Sequence, residues 1–362
     1  MTELEKAREV INEVDAQMAQ LFEKRMDAAK AVAAYKKEHG LKVDDIARED
    51  HIIRKNTELI QNENYRSYYA GFLRSVIDIS KKLQHRLLDG MRVAFSGTPG
   101  AFAEITAKRI FPDGTTVPCC DFKAAYNAVV SGDCDVAVLP IENSFNGDVG
   151  TVLDLTFFGP LCINGIYESE IVQNLLAKPG VKLKDIKEVI SHPQALGQCA
   201  GFIEKYSLLA TAAVNTAVAA DTVAASERSD LAAIASKEAA DKTGLAVIAP
   251  HINDSSSNTT RFAVFSRSKK LPVKTDAHFV MVFTVKNVAG ALGKAMSVIG
   301  ENGFNLRAIK SRPTKSLVWD YYFYAEGEGN INSPAGEKCI KELKKCCDNL
   351  RVVGSFEKEV RV

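Results

Sequence analysis

The first 88 residues contain no proline, and glycine only at positions 40 and 71. These are the two residue types that interrupt helices most strongly, so the segment reads as long helices. They run from about Glu3 to His39, Asp45 to Asn62 and Tyr65 to Leu88. The first, stopped by Gly40, would be about 50 Å long. A helix of that length cannot bury its apolar face within ninety residues alone, which implies a helical hairpin or a dimer.

From Met91 to Phe265 the pattern changes. Apolar strands such as "RVAFSG", "VAVLPIEN" and "LAVIAP" alternate with Ala-rich helices, among them "FAEITAKRIF", "AAYNAVVSG" and "TAVAADTVAASE". That alternation predicts an α/β domain with a mainly parallel sheet and sites at the strand ends. After the charged linker "SRSKKLPVKTD" the order is strand, helix, strand, strand, helix, strand, the ferredoxin-like α+β pattern. Three domains follow: 1–89, all-helical; 91–267, α/β; and 276–362, α+β.

The formal net charge of +1 gives no support to nucleic-acid or anionic-membrane binding, and neither partner is expected. No apolar run reaches the length of a membrane span, and "MTELEKAREV" lacks a signal-peptide core. Eight cysteines without a CxxC pair, and six scattered histidines, support neither a metal site nor a disulfide scaffold. A cytoplasmic location is expected, with neither cofactor nor metal.

Steps of three and four along the first helix meet Arg8, Ile11, Asp15, Met18, Phe22, Arg25, Ala29, Val32 and Lys36. This is the spacing of a packed seam, yet three members are cations. Residues 1–90 hold sixteen Lys and Arg against sixteen Asp and Glu, so no general basic excess explains them. Cations on a seam either snorkel and pair with acids or line a pocket for a small polyanion. "DDIARE" adds Asp45, Arg48 and Glu49 within one turn, and "SKKLQ" places Ser80 and Gln84 on one helix face. With these residues the segment resembles the all-helical chorismate mutases. The resemblance implies that Arg8, Arg25 and Arg48 hold the carboxylates of chorismate and that Lys36 and Gln84 meet its ether oxygen. Glu49 would hold its hydroxyl, Asp45 and Ser80 would complete the pocket, and Arg8 would enter a partner's site in an intertwined dimer.

In the middle segment, loops rich in hydrogen-bonding side chains recur at strand ends. "PIENSFNGDVG" carries Glu142, Asn143 and Ser144; "SHPQALGQC" carries Ser191, His192 and Gln198. "VNTAVAADTVA" places Thr216 at a helix start, "FSGTPGAFAE" brings Thr98 to the first strand-to-helix turn, and "NTTRF" ends on Thr260 and Arg261. The turn lacks GxGxxG, so no dinucleotide site is expected, and His192 reads as a turn residue before Pro193. Together these motifs resemble prephenate dehydratase, which folds as two α/β lobes like a periplasmic binding protein and removes carbon dioxide and water from prephenate. The resemblance makes Thr260 the catalytic hydroxyl, with Asn143, Ser144, Ser191, Gln198, Thr216 and Thr98 orienting the substrate. Glu142 is a competing proton source if its cleft raises its pKa, and Arg261 either anchors a carboxylate or ties lobes together. The family's hydroxyls are missing at Ala101 and Ala103.

The last segment resembles an ACT domain, an amino-acid-sensing module. "GALG" (Gly290, Ala291, Leu292, Gly293) and "KSRP" (Lys310, Ser311, Arg312, Pro313) match its phenylalanine-binding elements, except that Lys310 stands where the family has glutamate. The resemblances together imply a bifunctional enzyme of phenylalanine biosynthesis, acting on chorismate and prephenate as a homodimer or higher oligomer. L-phenylalanine would be its inhibitor, with altered strength. The rival readings are an arogenate-using dehydratase and a non-catalytic phenylalanine-responsive regulator.

Overall fold

A computed structural model of the chain describes residues 2–255, 257–269, 275, 277–314, 320–357 and 359–362. It divides into two compact units, Met1–Arg92 and Val93–Val362. Most of the charged linker, and the first residues of the strand expected from Leu317, lie outside the described residues. Among the described residues no helix is long and apolar enough to cross a membrane, and no group of three His, Cys, Asp or Glu side chains could hold a metal ion.

The first unit is three helices: α1 (Glu3–Glu38), α2 (Ile46–Thr57) and α3 (Glu63–Asp89). Thr2 opens α1 with a reciprocal capping box with Glu5, and Gly40 follows its end at a φ of +63°. Asp45 caps α2 by accepting from the Arg48 N–H at 3.0 Å. The second helix ends five residues earlier than expected, because Leu59 and Ile60 donate to Asn56 and Thr57 in tight turns. Met26, Ala29 and Ala33 are buried in the second half of α1, whereas Leu4, Val10, Ile11, Val14, Met18, Leu21 and Phe22, all nearer its start, are exposed.

The second unit begins with β1 (Arg92–Ser96), α4 (Phe102–Ile110), β2 (Thr115–Cys119), α5 (Phe122–Ser131), β3 (Val136–Asn143), β4 (Gly147–Asp148), α6 (Gly150–Phe158) and β5 (Cys162–Glu170). The chain then crosses into β6 (Asn174–Ala177), β7 (Glu188–Ser191), α7 (Pro193–Gln198), α8 (Ala200–Lys205), β8 (Leu209–Ala212), α9 (Thr216–Ala225), β9 (Leu231–Ala235), α10 (Lys237–Thr243) and β10 (Ala246–Ala249). It returns through β11 (Thr259–Ser266). The two lobes are therefore two sheets, with strand orders β5-β11-β3-β1-β2 and β10-β6-β9-β7-β8.

The expectation of mainly parallel sheets holds only in part. β1 and β3 run parallel, as do β7, β8 and β9. The crossing strand β11 runs antiparallel to both β3 and β5, and β6 runs antiparallel to both β9 and β10. Mixed sheets result because a chain that leaves one lobe and comes back must add a strand in the opposite sense.

The C-terminal domain has β12 (His278–Thr284), α11 (Ala291–Glu301), β13 (Asn305–Pro313), β14 (Tyr321–Glu328), α12 (Pro334–Leu343) and β15 (Asp348–Phe356), in a sheet of order β13-β14-β12-β15. One face, with Phe279, Met281 and Phe283, packs under α11 and α12. The other, with Val280, Val282, Tyr322, Tyr324 and Val353, joins the core of the first lobe. That double burial accounts for the unbroken apolar run of β12, where a half-exposed strand would alternate. Residues 360–361 leave this domain altogether. As β16 (Val360–Arg361) they pair in parallel with β5, opposite Tyr167 and Glu168.

Candidate active sites

In the helical unit, Arg25 is half-buried and its guanidinium donates to Val76 O at 3.2 Å and to the Ser80 hydroxyl. Burial holds its pKa below the usual arginine value. Gln84, one turn beyond Ser80, is buried, with its amide oxygen unpartnered among the described residues. Lys36 donates to Val43 O at 2.7 Å, tying α1 to the start of the next connection. Glu49 pairs with Lys81 at 3.1 Å, and Lys81 also reaches Asp44 at 3.2 Å. Burial would lower the Lys81 pKa, and the two carboxylates reverse this and raise it. Arg25, Ser80 and Gln84 thus come together. Asp45 is committed to its cap, and Arg8 and Arg48 are exposed on their helices.

In the second unit, the ends of β1 and β3 carry Thr98 and Asn143 on one edge of the first lobe. The ends of β7 and β8 lead to Ser191 and Thr216 in the second. Thr98 Oγ1 lies 3.4 Å from Asn215 Oδ1, across the two lobes. Thr260 is only 8% exposed, and its hydroxyl accepts from Asn143 Nδ2 at 2.8 Å. The Asn143 amide cannot be the other way round. Its Oδ1 accepts from the Phe145 and Asn146 N–H groups at 3.0 Å each, and its Nδ2 also donates to Asn258 Oδ1 at 3.1 Å. Because Asn143 fills an acceptor site on Thr260 Oγ1, the hydroxyl proton is left to point elsewhere.

Other expected contacts are committed locally. Ser191 Oγ donates to Ile234 O at 2.6 Å, and Ser144 Oγ donates to Ser257 O at 3.1 Å while accepting from Thr259 N. Thr216 is half-buried at the first position of α9, next to its cap Asn215. His192 caps α7 by accepting from Gln194 N, the turn role expected of it.

Glu142 and Arg261 are the neighbours of Asn143 and Thr260 and project to the opposite face. The raised pKa on which a proton-source role for Glu142 depends is not found. Burial would raise it, but the facing Lys310 and Arg261 outweigh burial and hold the carboxyl below the usual glutamate range. Its oxygens lie 2.8 Å from Lys310 Nζ and 2.8 Å from Arg261 Nη1. Arg261 also binds Glu326 at 2.6 Å, and Glu359. It therefore ties the sheet to the C-terminal domain.

Residues 7–85 match the type II chorismate mutase family and residues 93–270 the prephenate dehydratase family. Over 365 residues, covering 99% of both chains, the sequence is 30% identical to the bifunctional chorismate mutase/prephenate dehydratase of Aquifex aeolicus. The chain belongs to that bifunctional family. It is a chorismate mutase and a prephenate dehydratase of phenylalanine biosynthesis. Arogenate dehydratase/prephenate dehydratase 1 of Arabidopsis thaliana is 36% identical over 282 residues, 74% of this chain and 72% of that one. The structure of prephenate dehydratase in complex with L-Phe from Arthrobacter aurescens superposes with a TM-score of 0.69 at 29% identity, over 74% of this chain and 90% of that one.

In the ACT domain of this bifunctional chain, Gly290 caps α11 at a φ of +80°, a conformation that suits glycine. Thr284, just before that turn, lies opposite Tyr322, which in turn lies opposite Arg312. The Gly290–Leu292 and Ser311–Pro313 elements are thus at one end of the sheet. Arg312 binds Asp154 of α6 at 2.8 Å, with Tyr322 OH on the same carboxylate at 2.7 Å, and its guanidinium fills the space where a side chain at Gly150 would begin. Ser311 is exposed.

Sequence reasoning missed Lys81, Asn258 and Gln173. Asn258 is the first residue of the "NTTRF" motif itself and could have been taken from it. Gln173 is 2% exposed on the crossover between the lobes, where its Nε2 donates to Gln198 Oε1 at 3.3 Å. No local pattern marks it.

Proposed function

We propose that the mutase domain holds chorismate between Arg25, Lys36, Arg48, Glu49, Ser80 and Gln84, with Asp45 setting the start of the helix that carries Arg48 and Glu49, and with Arg8 supplied by a second copy of the chain. Guanidinium groups suit the two carboxylates through bidentate contacts. Lys36 and the Gln84 amide suit the ether oxygen, where negative charge grows as its bond breaks. The pocket accelerates the rearrangement by holding the reactive conformer and stabilising that charge. The exposed apolar face of α1 supports the dimer. We place the chain in the cytoplasm, the compartment that suits its free thiols.

In the dehydratase cleft, Thr260 donates to the departing ring hydroxyl of prephenate. The single observation that carries this assignment is the hydrogen bond from Asn143 to Thr260, which occupies an acceptor site and frees the proton. As the carboxylate on the ring carbon leaves as carbon dioxide, its bonding pair moves into the ring. The ring C–O bond breaks, and the hydroxyl takes a proton through Thr260 to depart as water. A free threonine is too weak an acid to act alone, so the work is that of an oriented donor in a network. Gln198 and Thr216, with Thr98 across the cleft, orient the carboxylates. Glu142 and Arg261 stand outside this chemistry.

Thr260→Ala should abolish phenylpyruvate formation while prephenate still accumulates from chorismate, and Arg25→Ala should do the reverse. If either variant loses both activities equally while remaining folded, this division is wrong. A second reading, dehydration of arogenate, draws support from the plant relative, and comparing kcat/KM for the two substrates separates them. The L-Phe bound in the Arthrobacter protein supports phenylalanine inhibition here, through Gly290, Ala291, Leu292 and Ser311. Pro313 would shape the loop, and Arg312 would be held back by Asp154. A dehydratase rate unchanged in millimolar phenylalanine would remove that reading.

A further inference from the structure

We propose that Lys310, a residue of the ACT domain, is a positioning residue for dehydration, because it staples the base of the hairpin that aims Asn143 at Thr260. β3 and β4 form this hairpin, with Glu142 opposite Asp148 and Asn143 opposite Gly147. Its tip wraps around the Asn143 side chain, whose oxygen takes the N–H groups of Phe145 and Asn146. The hairpin therefore fixes the direction in which Asn143 donates.

The base of the hairpin presents a difficulty that Lys310 resolves. Two carboxylates directly opposite each other on paired strands repel, and Glu142 and Asp148 are such a pair. Lys310 Nζ lies 2.8 Å from Glu142 Oε1 and 2.5 Å from Asp148 Oδ1, one contact to each arm. Its side chain is only 11% exposed, so solvent screens its contact with Glu142 little and its contact with Asp148, itself 38% exposed, more. Arg261 cannot replace it, since Arg261 binds Glu142 and is otherwise engaged with Glu326 and Glu359. Without the Lys310 charge the two arms carry unbalanced like charges, the hairpin splays, and the Asn143 amide loses its bearing. Small misplacements of this kind cost rate steeply.

The inference rests on Thr260 being the donor to the leaving hydroxyl, and the test keeps the two apart, since Thr260→Ala examines that reading alone. Lys310→Met should lower dehydratase kcat about ten- to a hundredfold, with a smaller change in KM. Mutase turnover by the same molecules should stay at the parental level, as an internal control of folding and concentration. Lys310→Arg, which keeps the charge, should recover most of the rate. Adding Asp148→Asn to Lys310→Met should restore part of the lost kcat, because it removes the repulsion that lysine had neutralised. Parental kcat in Lys310→Met would overturn the proposal. So would a loss in both activities together, or a double variant no faster than Lys310→Met alone.

Discussion

Glu142 and Asn143 are consecutive residues with opposite surroundings, and the alternation of a strand is the whole reason. Asn143 faces the cleft and Thr260, while Glu142 faces the ACT domain and its cations. The motif "PIENS" names both residues but cannot say which side each takes, because register with the next strand is a tertiary fact. The motif "NTTRF" singles out Thr260, which the structure sets against Asn143; the rear position of Arg261, one residue on, was not legible in it. This rear pair also sets a pH dependence. Burial would raise Glu142 and lower Lys310, but their partners reverse both shifts, so Glu142 is depressed and Lys310 raised. The Glu142 contribution to stability is present above an unfolded pKa of about 4.5 and is lost as pH falls through its lower folded value. The Lys310 contribution is full below an unfolded pKa of about 10.5 and is lost as pH rises through its higher folded value. The gap in thermal midpoint between the parent and Lys310→Met should therefore be widest between those limits and narrow on either side. A gap constant from pH 3 to pH 11 would show that no charge is involved.

At the scale of elements, the lack of proline over the first 88 residues made α1 readable almost to the residue, with its end at Glu38 before the expected stop at Gly40. Strands were readable for the same local reasons, and β3 spans the quoted "VAVLPIEN". Their direction was not, since parallel and antiparallel pairing depends on where the chain goes between strands. Helix α1 also carries a consequence for assembly. Leu4, Ile11, Met18 and Leu21 recur at helical spacing and are uncovered, Leu21 at 66% exposure. Leu21→Glu should convert the dimer proposed above to monomer in sedimentation. It should lower mutase kcat/KM by at least about tenfold, the usual scale for losing a central interface residue, and leave dehydratase activity in place. A monomeric parent would remove the basis of that expectation.

At the scale of the molecule, the three-domain order was legible, but the merging of the last two domains was not. Val280, Val282, Tyr322, Tyr324 and Val353 enter the same core as Leu139, Ile163 and Phe265. A double-sided burial of this kind leaves only an uninterrupted apolar strand as its trace, and the sequence does not say what lies on the second face. Nor does the sequence show that residues 360–361, within the expected last domain, pair as β16 with the dehydratase sheet. Removing residues 360–362 should lower the thermal midpoint of this unit by roughly 2–4 °C, as expected for losing about 1 kcal/mol in a unit of this size. The mutase helices should be unaffected. An unchanged midpoint would mean that the pairing adds nothing to stability.

That returning strand also bears on synthesis. Val360 meets Tyr167, made more than half a chain earlier, so one edge of the dehydratase sheet stays open while the entire C-terminal domain is being translated. Exposed edges invite pairing with other chains, and contacts this remote in sequence form late. The dehydratase sheet is thus finished only after the C-terminal domain, and a nascent chain that already carries Glu142 to Arg261 still lacks the strand that completes that sheet.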